Sequence, residues 1–342
     1  MSASLSPQTS RRPRVLSGFR PTGPMHIGHL VGALDNWIGM QDTHECFFAI
    51  CDWHALTSEY ADTSRLKEYV EEMAIDWLAA GLDPGKCTIF VQSHVPEHAE
   101  LHLLLSMIVP VAWLERVPTY KEQQQQIASR DLSNYGFLGY PVLQAADILI
   151  YRADAVPVGE DQVAHLELCR EIARRFNSLY GPVFPEPQAR LTRVPRVPGT
   201  DGRKMSKSYG NAINLADPVE ETRARILKMV TDPARKTRKD PGNPDVCPVY
   251  DLHKAFSDKG TQERVNVECR RAGIGCIDCK NYLLEHLIPV LQPIQERRAR
   301  LLEDRVRVRE ILADGARRAQ VEARATMQAV RSAMKIDSKG AP

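Results

Sequence analysis

The sequence predicts an α/β protein, a doubly wound parallel sheet followed by a helical C-terminal region. Three observations predict it. Strand-like and helix-like patterns alternate through the N-terminal half. The run at 46–51 is apolar throughout, as strands buried on both faces are, and 88–91 reads as another buried strand. From about Pro218 onward the strand patterns disappear. Repeated strand–helix order implies parallel strands joined by crossover helices.

Residues 15–19 read as the first strand. Residues 26–40 read as a helix, with Ile27, Leu30, Val31, Leu34 and Trp37 or Ile38 on one face. The run at 46–51 is the second strand. Ser64 is placed to cap a helix that Gly81 ends after about Ala80. The third strand is 88–91, and 97–108 is helical. A helix over 140–151 leads into a strand at 155–158 and a helix from about Glu160, in which Leu166, Cys169, Ile172, Ala173 and Phe176 share a face. The Pro-rich stretch 182–198 reads as a connector, and 202–210 as a polar loop rich in Lys and Ser. Residues 220–229 and 281–334 read as helical and Arg-rich, interrupted at Pro289, Pro293 and Gly315.

Composition narrows the function. The net charge of +2 excludes a global basic field, so a polyanionic partner is met by local patches. At 342 residues, a large and a smaller domain are expected, with a boundary near Leu215. No stretch approaches the roughly 18 apolar residues that span a membrane. The N-terminus lacks the apolar core of a secretory signal, and 1–13 reads as a disordered tail. A cytoplasmic location is expected, where eight cysteines serve as thiols or metal ligands rather than as a disulfide framework.

Chemistry concentrates at two places. Arg20-Pro21-Thr22-Gly23-Pro24-Met25-His26-Ile27-Gly28-His29 runs from the first strand into the first helix. In an open parallel sheet ligands bind at the carboxyl ends of strands, where helix N-termini offer N–H groups and a positive dipole end to phosphate. Glycines there let a ligand approach the backbone. The second place is Asp201-Gly202-Arg203-Lys204-Met205-Ser206-Lys207-Ser208, with two lysines three apart. Alone it reads as a solvated loop. Paired in this order, His-Ile-Gly-His and Lys-Met-Ser-Lys-Ser resemble the two signatures of class I aminoacyl-tRNA synthetases.

Within that class the chain resembles the tryptophanyl-tRNA synthetases from about Val15 to Met334. The segments that carry the likeness are Ser17-Gly18-Phe19-Arg20-Pro21-Thr22-Gly23, Asp52-Trp53-His54-Ala55-Leu56-Thr57, Tyr140-Pro141-Val142-Leu143-Gln144-Ala145-Ala146-Asp147 and Val156-Pro157-Val158-Gly159-Glu160-Asp161-Gln162. The resemblance implies a Rossmann-type catalytic domain over 14–215, with a dimerisation insertion at about 95–140, and a helical anticodon-binding domain over 216–342. It implies ATP-dependent activation of L-tryptophan with Mg²⁺, then transfer to the 2′-OH of the terminal adenosine of the tRNA for tryptophan, in a homodimer.

It also implies roles. His26, His29, Lys204 and Lys207 would serve catalysis. Gly18, Arg20, Thr22, Gly28, Gly159 and Asp161 would contact ATP, together with Lys204, Met205, Ser206 and Lys207. Asp147 would accept the indole N–H, and Tyr140 and Gln162 would hold the ammonium and carboxylate ends of the amino acid. Gln144 would help, and His54 would lie beside the ring. Independently of family, Tyr140, Gln144 and Asp147 at i, i+4, i+7 point into one pocket if their segment is helical. The tyrosyl relatives use the same triplet, so tyrosine is the alternative substrate, and a non-catalytic RNA-binding protein is the alternative class. A dehydrogenase-like protein is disfavoured, because no Gly-x-Gly-x-x-Gly turn follows the first strand. The sequence departs from many bacterial relatives at Arg20, at Gln144 and in its His-Ile-Gly-His.

Cys247, Cys269, Cys276 and Cys279 follow the spacing C-x21-C-x6-C-x2-C, which reads as zinc or iron–sulfur. The resemblance to a subgroup of tryptophanyl synthetases implies a [4Fe–4S] cluster. Cys46, Cys51, Cys87 and Cys169 read as inert core thiols. The run Arg235, Lys236, Arg238, Lys239 is either an RNA-phosphate grip or a solvated loop. The arginines between 297 and 331 alternate with acids and read as a salt-bridged helix surface.

Overall fold

The computed structural model describes residues 11–117, 132–159, 162–191, 197–206 and 209–337. Asp161 and Lys207 lie outside the described residues, as do 1–10 of the expected tail and 118–131 of the expected insertion. Residues 11–13 depart from a disordered tail. Arg11 pairs with Asp154 at 2.8 Å, and the Pro13 carbonyl accepts the Glu45 N–H at 3.0 Å.

Five parallel strands form one sheet: β1 (Arg14–Phe19), β2 (Glu45–Ile50), β3 (Cys87–Val91), β4 (Ala155–Val158) and β5 (Gln188–Leu191). Their order is β3-β2-β1-β4-β5. The chain winds outward from β1 to β3 on one side, then returns to β4 on the other. The reversal leaves a crevice at the carboxyl ends of β1 and β4, where such sheets bind ligands. Alternate residues feed opposite faces. Val15, Phe48, Ile50, Ile89 and Val91 join one core, and Leu16, Phe47, Ala49, Phe90, Val156 and Val158 the other.

The first helix follows β1 as α1 (Ile27–His29), a π-helical stretch (Leu30–Leu34) and α2 (Asp35–Met40). Single π turns recur at functional sites. Next come α3 (Asp52–Glu59), α4 (Leu66–Ala80), α5 (Glu97–Ser106), α6 (Val111–Glu115), α7 (Tyr135–Ile150) and α8 (Val163–Tyr180). Gly81 ends α4 at φ 127° and donates its N–H to Trp77 and Leu78 carbonyls.

The later region holds α9 (Val219–Lys228), α10 (Pro248–Phe256), α11 (Lys259–Arg270), α12 (Cys276–Glu303) and α13 (Arg305–Met334). Pro289 and Pro293 sit inside α12, and Gly315 inside α13. The break falls instead at Asp304, which caps α13 by accepting the Arg307 N–H. The connector expected at 182–198 contains β5, an exposed edge strand with no alternating apolar pattern.

Helix α13 lies along β3, the outer strand. Its Val308 and Leu312 enter one core and its Ala316, Ala319, Ala323, Met327 and Val330 the other. Arg318 donates to the carbonyls of Cys87 at 3.2 Å and Pro84 at 2.9 Å, so the helix satisfies part of an edge left unpaired. The arginines of this region do form ion pairs. Arg305 and Arg309 meet Glu71, Arg324 meets Glu97, and Arg331 meets Glu100.

Candidate active site

A cavity of about 1360 Å³ opens at the β1/β4 crevice. Gly18, Arg20, His26, Gly28, His29, His54, Tyr140, Gln144, Asp147, Gly159, Gln162, Lys204 and Met205 all line it. Most of the residues expected from the sequence therefore share one space. Thr22 does not. The turn closed by Thr22 N–H to the Arg20 carbonyl, with Gly23 at φ 127°, directs it to a neighbouring cleft of about 240 Å³ lined by Leu56, Glu59 and Tyr69. Ser206 also lies off the cavity lining; its N–H donates to the Asn211 side chain at 2.8 Å.

At one end His26 and His29 stack with ring centroids 3.6 Å apart. The His26 N–H donates to His29 Nδ1 at 3.1 Å, so in the neutral ring the proton resides on Nε2. Not every amide of the helix start is offered to a ligand, because the Ile27 N–H already bonds the Ile213 carbonyl at 2.9 Å. With Leu215 N–H to the Met25 carbonyl at 2.9 Å, this bolts the first signature to the strand-like stretch that follows the second. Gly18 has a packing reason besides any ligand: a Cβ there would sit 2.5 Å from the Ala49 carbonyl oxygen of the adjacent strand.

Asn211 organises the Lys204 loop, and nothing in the local sequence pattern announced it. Its side chain accepts from Ser206 N–H at 2.8 Å. Its amide donates to Asp201 at 2.7 Å and to the Lys204 carbonyl at 3.2 Å. It is 2% exposed, and a side chain at Gly199 would collide with it. The loop is thus held at its base while Lys204 remains exposed at the cavity rim.

At the other end α7 places Tyr140, Gln144 and Asp147 along the cavity. Tyr140 Oη lies 2.9 Å from His165 Nε2, and its ring lies 5.5 Å from that of His54. Burial pushes the His54 imidazole down to about 3, with Arg20 and His165 adding to it, so the ring faces the cavity as a neutral, largely apolar plate. Burial within the cleft also lowers the Arg20 guanidinium, opposed by Glu59, Tyr140 and Cys51; Arg20 donates to Ser58 Oγ at 3.3 Å. Asp147 is 4% exposed and takes donors from Gln92 and His98, two further residues absent from the sequence reading.

The four cysteines of the later region gather where α10, α11 and α12 meet. Cys247 precedes α10, Cys269 is in α11, and Cys276 and Cys279 occupy the first turn of α12. Burial, then the proximity of Cys247, Cys269 and Cys276, pushes the Cys279 thiol up to about 12. Among the described residues no group of three or more His, Cys, Asp or Glu side chains is arranged to hold a metal ion. Arg235 departs from the phosphate-gripping alternative. It is 8% exposed, donates to the Ile274 carbonyl at 2.5 Å and lies 3.7 Å from Cys269 Sγ. Lys236, Arg238 and Lys239 remain exposed. Burial also raises the thiols of Cys46 and Cys87 to about 12, and those of Cys51 and Cys169 too, in keeping with inert core positions.

Comparison with known proteins places this geometry. The family model described as class I tRNA synthetases (W and Y) matches residues 8–292. A tryptophan–tRNA ligase of Thermotoga maritima is 57% identical, over 94% of this chain and 99% of that protein. One from Aquifex aeolicus is 44% identical, over 94% and 100%. The crystal structure of a tryptophanyl-tRNA synthetase from Campylobacter jejuni, complexed with ADP and tryptophan, superposes with a TM-score of 0.84 at 35% identity, covering 94% of this chain and 99% of that one.

Proposed function

Because the chain belongs to the class I tRNA synthetases for tryptophan and tyrosine, we propose that the cavity at the β1/β4 crevice is where it activates L-tryptophan. The enzyme is a tryptophan–tRNA ligase. It forms tryptophanyl-adenylate from ATP, taken as its Mg²⁺ complex, and passes the amino acid to the terminal adenosine of its tRNA. The observation that carries the site assignment is convergence: both signatures and the Tyr140, Gln144, Asp147 face open onto one cavity.

The division of labour is the one the resemblance implies, and the shared cavity supports it. Activation attacks the α-phosphorus of ATP with the tryptophan carboxylate, and charge gathers on the α-phosphate and the leaving pyrophosphate. Catalysis there is positioning and charge stabilisation. His29 Nε2–H and the His26 ring serve the phosphates at the helix start. Lys204 answers the pyrophosphate charge from its loop, with Lys207, in the same signature, taken to share that role. Gly18 and Gly159, at the ends of β1 and β4, line the floor on which adenosine lies, and Gly28, Arg20 and Met205 complete its surroundings. Asp161 belongs to the adenosine contacts by its motif. Tyr140 and Gln162 hold the amino-acid ends, Gln144 assists, His54 flanks the indole and Asp147 accepts its N–H.

The finer readings rest on local observations. Exposed Leu103, Met107, Val111 and Tyr135 support a homodimer through the 95–140 segment. The cytoplasmic reading fits a chain with no helix, among the described residues, long and apolar enough to cross a membrane. For the cysteines, the soft thiols and the C-x21-C-x6-C-x2-C spacing support a [4Fe–4S] cluster, with Zn²⁺ as the alternative, although the four side chains are not arranged around a metal ion here. Cys247, Cys269, Cys276 and Cys279 would hold it. When bound it would crosslink α10, α11 and α12 within the helical region assigned to the anticodon. Iron and acid-labile sulfide in anaerobically purified protein, absent from a Cys276→Ser/Cys279→Ser variant, would support it; zinc or no metal would overturn it.

Pyrophosphate–ATP exchange with tryptophan, with tyrosine and without amino acid tests the main reading. Exchange with tryptophan alone is expected. Exchange with tyrosine would move the substrate, and none with either would remove the catalytic assignment.

A further inference from the structure

Asp147 is the terminus of a buried chain of hydrogen bonds. Gln92 Nε2 donates to both of its carboxylate oxygens at 2.8 Å. His98 Nδ1 lies 2.7 Å from Oδ1, and His98 Nε2 lies 2.7 Å from Tyr151 Oη. Gln92, His98 and Tyr151 are all 0% exposed. They come from the turn after β3, from α5 and from the residue after α7, so three elements converge on one carboxylate.

With a neutral imidazole the chain has one consistent proton arrangement. A carboxylate only accepts, so His98 Nδ1 must donate. Burial first, then Asp147, pushes the Tyr151 phenol well above its ordinary value, so the phenol keeps its proton and donates to His98 Nε2. The imidazole is thereby fixed as its Nδ1–H tautomer. Gln92 is fixed as well: its Oε1 accepts the His54 backbone N–H at 3.1 Å, so its amide nitrogen must face Asp147. Stacking holds the far end, with the Tyr151 ring 4.6 Å from that of Phe47 and 5.5 Å from that of Phe90.

We propose that the Tyr151–His98 relay, with Gln92, is the specificity device of the amino-acid site, holding Asp147 as an oriented acceptor for a ring N–H. The inference rests on the tryptophan reading of the cavity. Among the described residues Oδ1 takes two donors and Oδ2 one, which leaves acceptor capacity on Oδ2. An aromatic amino acid with no N–H leaves that capacity unpaired in a buried place, and one that donates from a different position meets a carboxylate unable to turn toward it. His98 and Tyr151 are positioning residues. They act through Asp147.

The test compares pyrophosphate–ATP exchange with tryptophan and with its benzothienyl analogue, in which sulfur replaces the indole N–H. The readout is the ratio of kcat/KM for the two. In Tyr151→Phe the ratio should fall about 3- to 10-fold, and in His98→Leu about 10- to 100-fold. His98→Asn, which keeps a donor near the Nδ1 position, should restore most of it. The KM for ATP should stay unchanged. An equal loss on both substrates, or an unchanged ratio, would reduce the relay to a packing role and overturn the proposal. Nitrogen-15 chemical shifts of His98 in the wild-type protein need no variant to fold. They should show Nδ1 protonated and Nε2 as an acceptor, and the reverse would overturn the relay. A wild-type enzyme with no exchange on tryptophan, beside the expected His98 shifts, would instead strike the reading of the cavity and take the specificity role down with it.

Discussion

Arg298 donates its Nε to Asp76 Oδ1 at 2.8 Å, and the second oxygen of Asp76 accepts the Met25 N–H at 3.3 Å. One ion pair thus joins α12, in the later helical region, to the residue just before His26. Asp76 is 1% exposed, so removing its partner strands a buried carboxylate. Arg298→Met should destabilise the fold by about 3–5 kcal/mol in urea denaturation, and adding Asp76→Asn should recover much of the loss. Burial raises the Asp76 carboxyl despite Arg298. The folded state therefore binds the proton more readily than the unfolded one, and this group's contribution to stability declines as pH rises through that window. Arg298→Met should steepen the decline. A variant as stable as wild type would refute the coupling.

Asn211 holds the Lys204 loop without lining the cavity. Asn211→Ala should lower kcat for pyrophosphate exchange about 10- to 100-fold by letting the loop wander. Tryptophan affinity, measured by calorimetry without ATP, should be unchanged. A fall in tryptophan affinity equal to the fall in kcat would mean that Asn211 supports the whole site instead.

The His54 ring has its pKa lowered to about 3 from an ordinary value near 6.5. The unfolded chain therefore takes up a proton that the folded chain refuses between those values. Stability from this site is fully present above pH 6.5 and is lost as pH falls toward 3. Between pH 4 and 6, denaturation of wild type should show a pH slope larger than that of His54→Gln by about one proton. Equal slopes would mean that the ring titrates normally.

At Gly315 α13 packs directly on the sheet, where a Cβ would land on the Ile89 carbonyl oxygen. At a free helical position Gly→Ala gains up to about 1 kcal/mol. Here the methyl meets backbone that has nowhere to go, and Gly315→Ala should cost about 2 kcal/mol or more in thermal or urea unfolding. A stabilised variant would show that the helix can lift off β3 cheaply.

Elements whose burial is periodic were legible in the sequence; those set by distant partners were not. β1 to β4 and the long helices announced themselves because strands packed on both faces must be apolar, and packed helices carry a stripe. β5 did not, since Gln188–Leu191 is an exposed edge whose pairing is made by backbone. Pro289 and Pro293 suggested interruptions that the structure lacks. They are one turn apart in α12, and that helix's packing on α4 and α9 outweighs the missing hydrogen bonds. In the site, Tyr140, Gln144 and Asp147 were readable because one helix carries all three. Gln92 and His98 reach Asp147 across 55 and 49 residues of chain, a proximity no local spacing encodes. Arg235, read among its basic neighbours, became a buried brace because the Ile274 carbonyl and Cys269 come to it from far along the chain.

The helix that covers β3 is the last of the described elements to leave the ribosome. Every strand of the sheet is synthesised more than a hundred residues before α13. During that interval the outer edge of β3 and the apolar surface around Phe90 and Val91 stand open on a nascent chain. A transcript truncated before Arg305 would yield a polypeptide with both signature motifs intact and a naked strand edge, a substrate for chaperones and for self-association. The outer edge of β3 is therefore covered only once this thirty-residue helix has been made.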